Sequence, residues 1–411
     1  MATTSVKEFL YRNAVRRDFC FGASNTTLVM NKNSGKTKRN RKKNKKKRKA
    51  VKPVSLYSEF VEEAGPGCFI ARRNSGISKL ESPDWMIGWE DVDPEDYGLG
   101  DIDDNTDCEV PDIALDPEEF TLSICNLHNF TKVVYVTVFE TRVISKNGVE
   151  LKQGSTTNNN GETVPCVTFI VLCPPRVFAH LCYLDVSSEE DLSEVRVEND
   201  VSRWNQHPNP SDEHPYRIGF PLKRSDPDTG NSCAFLCTQG EGGELTHFFS
   251  GNLHAIDFRC PIGTELLAVA DGIIVEAKDE NTLTGISVTN LFKWNSILLE
   301  VQNADGNCDA ERCNPGGGGP LFVEYVHITK STVQAGDRVK RGQVIGYSGS
   351  VGFSPEPHLH FSAFRSSTTE APTVRVLFDS GDSDESTPFL PRAGDWYDAN
   401  GRVNDPVIRC K

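Results

Sequence analysis

The chain has 411 residues, a hydrophobic fraction of 37% and a formal net charge of −14. That length accommodates two domains with unstructured segments besides, and the modest apolar content leaves part of the chain without a core of its own. No run of about 18 apolar residues occurs, so no membrane span is expected, and Met1 to Cys20 lacks the apolar stretch behind a basic start that marks a secretory signal, so no compartment is assigned.

The charge is segregated. From Lys36 to Lys49, eleven of fourteen residues are Lys or Arg; from Glu81 to Glu119 there are sixteen acidic residues and no basic one. Such blocks are solvated, which predicts a disordered region over 1–78 and an acidic linker over 79–118. The basic run 36–49 suits a nuclear-import signal, a nucleic-acid arm or a flexible tail. No aromatic residue interleaves with it, so nucleic-acid binding is expected through that run or not at all. Asp101, Asp103, Asn105 and Asp107 imitate a calcium loop. The sixth position holds Thr106 instead of glycine and the twelfth Asp112 instead of glutamate, so no calcium site is expected.

From Phe120 the pattern turns to strands. Val133 to Phe139 is β-branched and aromatic, Asn147-Gly148 is a turn signal, and Val167 to Leu172 stops at Pro174-Pro175. With Val177 to Val186 these predict a β-sandwich-like accessory domain over 119–217, its last part (187–216) a loop. His128 and His180 are isolated there and read as structural. Residues 218–366 are again strand-rich: Leu266 to Ala270 and Ile273 to Ala277 flank Asp271-Gly272 as a hairpin, followed by Ile297 to Val301, Phe322 to His327 and Val344 to Tyr347. Helical periodicity is nearly absent, so the chain is expected to be all-β, with a second sandwich or barrel over 218–366 and a C-terminal tail over 367–411.

Thirteen cysteines are spread along the chain, and Cys233-x3-Cys237 and Cys308-x4-Cys313 are the close pairs. Neither has the spacing of a zinc ribbon, and free thiols are the expectation unless the compartment is oxidising.

Pro357-His358-Leu359-His360-Phe361 is the sharpest clue. On a strand, His358 and His360 share one face while Leu359 and Phe361 enter a core. Two imidazoles on one face suit a metal site, one binding the ion and one handling protons beside it. Alone, a His-Leu-His is more often a satisfied structural pair.

Further motifs occur in a meaningful order. They are His254-Ala255-Ile256-Asp257-Phe258 with Pro261-Ile262-Gly263-Thr264, then Ala268 to Ile274, then Tyr325-Val326-His327-Ile328, then the glycine-punctuated Val333 to Gly352, then His358-Leu359-His360-Phe361. Over about 215–365 the chain resembles the lysostaphin and LytM type of zinc metalloendopeptidases, which cut peptide cross-bridges of bacterial cell walls. The resemblance implies one Zn2+ per chain, with Asp257 and His360 as ligands and His327 and His358 flanking the water that the metal activates. It also implies a peptide or peptidoglycan substrate. The usual first motif has a His four residues before the Asp, where this chain has Leu253. His254 stands at an odd spacing that faces away on a regular strand. His247, in Thr246-His247, matches a subgroup whose first His lies farther upstream, and it is the expected third ligand, with His254 the alternative where a bulge re-aims its side chain. The alternative is a non-catalytic peptide- or wall-binding module of the same fold, in which ligands are typically lost. The sequence leaves the oligomeric state open.

Overall fold

The computed structural model describes residues 67–72, 82–97, 112–204, 216–243, 245–247, 251–302, 320–368, 371–379, 387–404, 406 and 408–409. The basic run 36–49, the calcium-like loop, the Cys308–Cys313 pair and most of 1–78 lie outside them. No helix among the described residues is long and apolar enough to cross a membrane.

The architecture is all-β. In the N-terminal sandwich, Lys132–Phe139 lies between Val197–Arg203 and Thr163–Cys173, and Gly154–Thr157 continues the sheet. The facing sheet runs Gly88–Asp91, Val177–Leu184, Thr121–Asn126, Ile113–Asp116. Leu122, Ile124, Val134, Val136, Phe169, Val171, Ala179 and Leu181 alternate into the core between them. Three expectations are corrected here. Strands Cys68–Arg72, Gly88–Asp91 and Ile113–Asp116 fall inside stretches read as disordered or linker. Their apolar residues are divided between two cores, Ala71, Ile113 and Leu115 within the sandwich with Phe69 and Trp89 against it, and Cys68 with Ile70 on a neighbouring cluster, so average composition hides them. Within the expected loop 187–216, Ser188 caps a short helix, Glu189–Ser193, and Val197–Arg203 pairs with Lys132–Phe139 along its whole length.

The second domain is built on a nine-stranded sheet. Its order is Arg338–Val339, Gly272–Lys278, Ser296–Val301, Leu321–Val326, His358–Phe364, Ile256–Arg259, Phe235–Gln239, Trp396–Asp398, Gly401–Val403. A four-stranded sheet (Leu222–Lys223, Glu265–Leu267, Val344–Tyr347, Lys330–Ser331) packs near it. Tyr325 joins the central strand to the segment that leads out of this smaller sheet: its hydroxyl donates to Leu267 O (2.9 Å) and accepts from Val269 N (3.0 Å). The Asp271-Gly272 hairpin does not form. Glu265–Leu267 and Gly272–Lys278 belong to different sheets, and the chain turns the corner between them. Asp271 fixes that corner by accepting from Lys340 Nζ and Arg341 N. Gly272 is required there because a Cβ would stand 2.2 Å from Glu300 O. Nor is 367–411 a tail. Val376–Phe378, Trp396–Asp398 and Gly401–Val403 are strands, and Val374, Val376, Phe378 and Tyr397 are buried in the domain's main core.

Candidate metal centre

The face that carries the candidate donors is set by strand alternation. On His358–Phe364, Leu359 and Phe361 are in the core, and His358 and His360 point the other way. Ile256–Arg259 pairs antiparallel with it and sets Asp257 opposite His360. His327 follows directly on Leu321–Val326, whose Val326 pairs with His360 on the other side. Its backbone is left-handed, φ 65°, a strained state for a non-glycine residue that turns the side chain out of strand direction.

His247 arrives from a loop, and Gln239 explains how. Its Oε1 accepts from the amides of Leu245 (3.1 Å), Thr246 (3.0 Å) and His247 (3.3 Å), while its Nε2 donates to Asp257 Oδ2 (2.7 Å) and Thr246 Oγ1 (3.0 Å). One buried amide thus ties the His247 loop to the carboxylate ten residues on. His247 Nδ1 donates to Gly240 O (3.0 Å), which leaves Nε2 with its lone pair toward the site.

Three donor atoms converge. His360 Nδ1 is 2.8 Å from Asp257 Oδ1 and 3.2 Å from His247 Nε2, which is 3.3 Å from the same carboxylate oxygen. His247, Asp257 and His360 are the one group of buried His, Cys, Asp or Glu among the described residues able to hold a metal ion. Ligand bonds of about 2.0–2.1 Å in a tetrahedron put neighbouring donors about 3.3 Å apart, so this two-nitrogen, one-oxygen set fits a small divalent cation. Beside it lie two more imidazoles. His358 Nε2 is 3.9 Å from Asp257 Oδ1, and the His327 and His358 rings are 4.5 Å apart. His327 Nδ1 donates to Val351 O (2.7 Å) and His358 Nδ1 to Glu356 O (2.8 Å), so each keeps Nε2 unprotonated when neutral.

His254 is turned away from the cluster. Its Nδ1 meets Glu241 Oε1 at 2.7 Å, and Glu241 also receives both arms of Arg375. Gln239, which joins the segments that carry His247 and Asp257, has no local sequence signal. It ends an apolar strand, and its role is visible only once Asp257 is opposite. The eight cysteines among the described residues are buried free thiols outside the donor set, Cys233 and Cys237 among them. His128 and His180 lie in the sandwich, His180 paired with Ser123 and Glu90. His207 and His214 fall outside the described residues.

Charge follows burial. Burial would raise the Asp257 carboxyl, but the surrounding His247, His358 and His360 outweigh it and hold the group well below the usual 3.8. Burial pushes His327 well below 6.5, helped by repulsion from His358 and His360. Burial lowers His358 too, partly offset by Asp257. Both imidazoles therefore bind protons less readily folded than unfolded. Their stabilising contribution is complete above the unfolded value of 6.5 and is lost as pH falls below it. For the metal-stripped chain, the urea midpoint is expected to fall between about pH 7.5 and 5, and less so in His327→Gln. A midpoint that held steady or rose on acidification would contradict the neutral, buried state of these rings.

The model of peptidase family M23 matches residues 316–372, the stretch that holds His327, His358 and His360. Over these residues the chain matches that family, and the domain resembles its lysostaphin and LytM type. The M23 domain is 35% identical over 144 residues to the glycyl-glycine endopeptidase ALE-1 of Staphylococcus capitis, covering 35% of this chain and 30% of that protein. It is 34% identical over 146 residues to lysostaphin of Staphylococcus simulans, covering 35% and 23%. The chain thus spans less than a third of the length of these relatives. Among solved structures, the catalytic domain of lysostaphin from Staphylococcus simulans matches at 28% identity and a TM-score of 0.22, over 38% of this chain and 88% of that one.

Proposed function

We propose that the M23 domain is a zinc-dependent endopeptidase acting on peptide cross-bridges of peptidoglycan or on Gly-rich peptides, with one Zn2+ held by His247 Nε2, Asp257 Oδ1 and His360 Nδ1. The observation that carries this is the convergence of those three buried donors with two further imidazoles beside them. When bound, zinc would supply a Lewis acid that polarises the scissile carbonyl and brings the pKa of water down toward about 7.

The chain's own residues do the rest. His327 and His358 are held as Nδ1–H tautomers by backbone carbonyls, which leaves Nε2 as a proton acceptor. Burial keeps both neutral at working pH, so either ring can accept a proton from the attacking water. With the rings 4.5 Å apart, one can take the proton of the attacking water on Nε2 and, as the imidazolium, donate it to the oxygen on which charge develops and then to the leaving amine, while the other, neutral, orients that water by accepting from its second O–H. Low exposure of all five side chains strengthens each of these interactions. The substrate class is supported by the relatives' names: glycyl-glycine endopeptidase, and the peptidoglycan DD-endopeptidase ShyC of Vibrio cholerae, 28% identical over 105 residues. A non-catalytic module is disfavoured because none of the five positions has lost its side chain.

His358→Ala separates binding from catalysis. It is expected to keep parental zinc, since its Nε2 stands outside the three-donor set, and to lose roughly 10²- to 10⁴-fold in turnover of pentaglycine or a wall peptide. Undiminished turnover would remove the role proposed for this residue.

A further inference from the structure

The geometry points to the N-terminal β-sandwich as a positioning element for the two imidazoles His327 and His358. This rests on the catalytic roles proposed for them above. Both rings depend on one loop, 350–354: His327 Nδ1 donates to Val351 O, and His358 Nδ1 lies 3.2 Å from Ser354 Oγ, whose own proton goes to the Glu356 carbonyl that also serves His358. That loop is not braced by the M23 core alone. Its strand Gly352–Phe353 pairs in parallel with Thr284–Gly285, and Gly352 N and Ser354 N donate to Leu283 O (2.8 Å) and Gly285 O (3.2 Å).

Thr284–Gly285 in turn pairs with Gly154–Thr157 of the sandwich, so a single sheet runs from the N-terminal domain to the edge of the catalytic loop. The junction is well made. Thr156 and Thr157 hydroxyls both donate to Thr284 O (3.2 Å each), Thr284 N donates to Thr157 Oγ1 (2.8 Å), and Ile286 exchanges bonds with Ser155 O and Thr168 Oγ1. Gly285, at φ 114°, lets the strands meet, since a Cβ there would be 2.3 Å from Ser155 O. Below the strands Leu245, Ile286, Val288 and Phe353 are buried in one cluster with Tyr135 and Ile170 of the sandwich. A run of hydroxyls completes the path: Thr284 Oγ1 bonds Ser350 O and lies 3.2 Å from Ser350 Oγ, which donates to Ser354 Oγ at 3.1 Å, beside His358. Two-residue strands have little stability of their own, so removing the sandwich contacts frees the loop and with it the ring orientation that proton transfer needs.

The test uses the full chain. Thr284→Val and Thr157→Val keep shape and remove the hydroxyl; Thr284→Ser and Thr157→Ser restore it. The expected result on a pentaglycine substrate is a fall in kcat of about 10- to 100-fold for Thr284→Val, a smaller one for Thr157→Val, recovery in the serine variants, and parental KM and zinc content throughout. In the metal-free protein, backbone amide exchange at Gly352 and Ser354 is expected to quicken in the valine variants only. Thr157→Val alone removes a hydroxyl of the sandwich, so parental kcat in that variant overturns the inference even where Thr284→Val, which breaks the Ser350 contact, is slowed; a loss that sits in KM or zinc content or that serine fails to recover overturns it as well. If the parent itself hydrolyses no peptide, the proposed activity fails, and amide exchange alone decides: unchanged protection at Gly352 and Ser354 overturns the positioning role, and faster exchange confined to the valine variants sustains it.

Discussion

Replacing His360 by alanine is expected to reduce bound zinc from about one per chain to near none and to lower peptide hydrolysis roughly 10³-fold or more. His360 Nδ1 is the donor nearest both others, 2.8 Å from Asp257 Oδ1 and 3.2 Å from His247 Nε2. Without it a carboxylate and one imidazole remain, too few to close a catalytic site of three protein ligands. The fold should survive, because the packing of this strand is carried by Leu359 and Phe361 on the opposite face, and neither changes. Loss of the buried contact to Asp257 is expected to cost about 1–3 kcal/mol in the metal-free protein. Zinc determined by atomic absorption, beside circular dichroism as a control for folding, gives the answer. Equal zinc in parent and variant would defeat the whole assignment of the site.

What the sequence made legible is local. Alternation in His358-Leu359-His360-Phe361 needs only the period of a strand, and it separates the residues that face the core from those that face the donor cluster. The β-branched runs Val133 to Phe139 and Ile297 to Val301 were readable for the same reason. What escaped is set by pairing between distant segments. Asp271-Gly272 has the composition of a hairpin, yet the partners of its two flanking strands lie elsewhere, and a two-sheet corner results. Phe378 and Tyr397 sit in a stretch whose Ser, Asp and Pro content resembles a linker, but they are buried among Phe220, Phe258 and Phe389. Thr284–Gly285 and Gly352–Phe353 are too short to show any period, although they join the two domains. Gln239 illustrates the limit within the site itself. A glutamine at the end of an apolar strand has no chemistry of its own until the Asp257 carboxylate and the amides of Leu245 to His247 are placed around it.

The first ligand is where local spacing and tertiary pairing disagree, and it yields the second large effect. His247→Ala is expected to abolish stoichiometric zinc binding, weakening affinity by more than about 100-fold, whereas His254→Ala should bind zinc as the parent does. Proximity in sequence favours His254, three residues before Asp257 against ten for His247. Geometry reverses that order. His254 Nδ1 is committed to Glu241, which is itself held by Arg375, and its removal leaves the Glu241–Arg375 pair intact at little cost to the metal site. His247 is fully buried, has its Nδ1 proton fixed on Gly240 O and its backbone amide on Gln239, and keeps Nε2 3.3 Å from Asp257 Oδ1. Gln239→Leu adds a graded case: it leaves all three ligands in place but releases the amides of Leu245, Thr246 and His247 and one bond to Asp257, so zinc affinity should drop by about 10- to 100-fold. An order of affinity running parent, His254→Ala, Gln239→Leu, His247→Ala follows from these contacts alone. Retention of zinc by His247→Ala together with its loss in His254→Ala would mean that the metal-bearing chain re-aims the 245–254 loop, and the ligand set would have to be redrawn around His254.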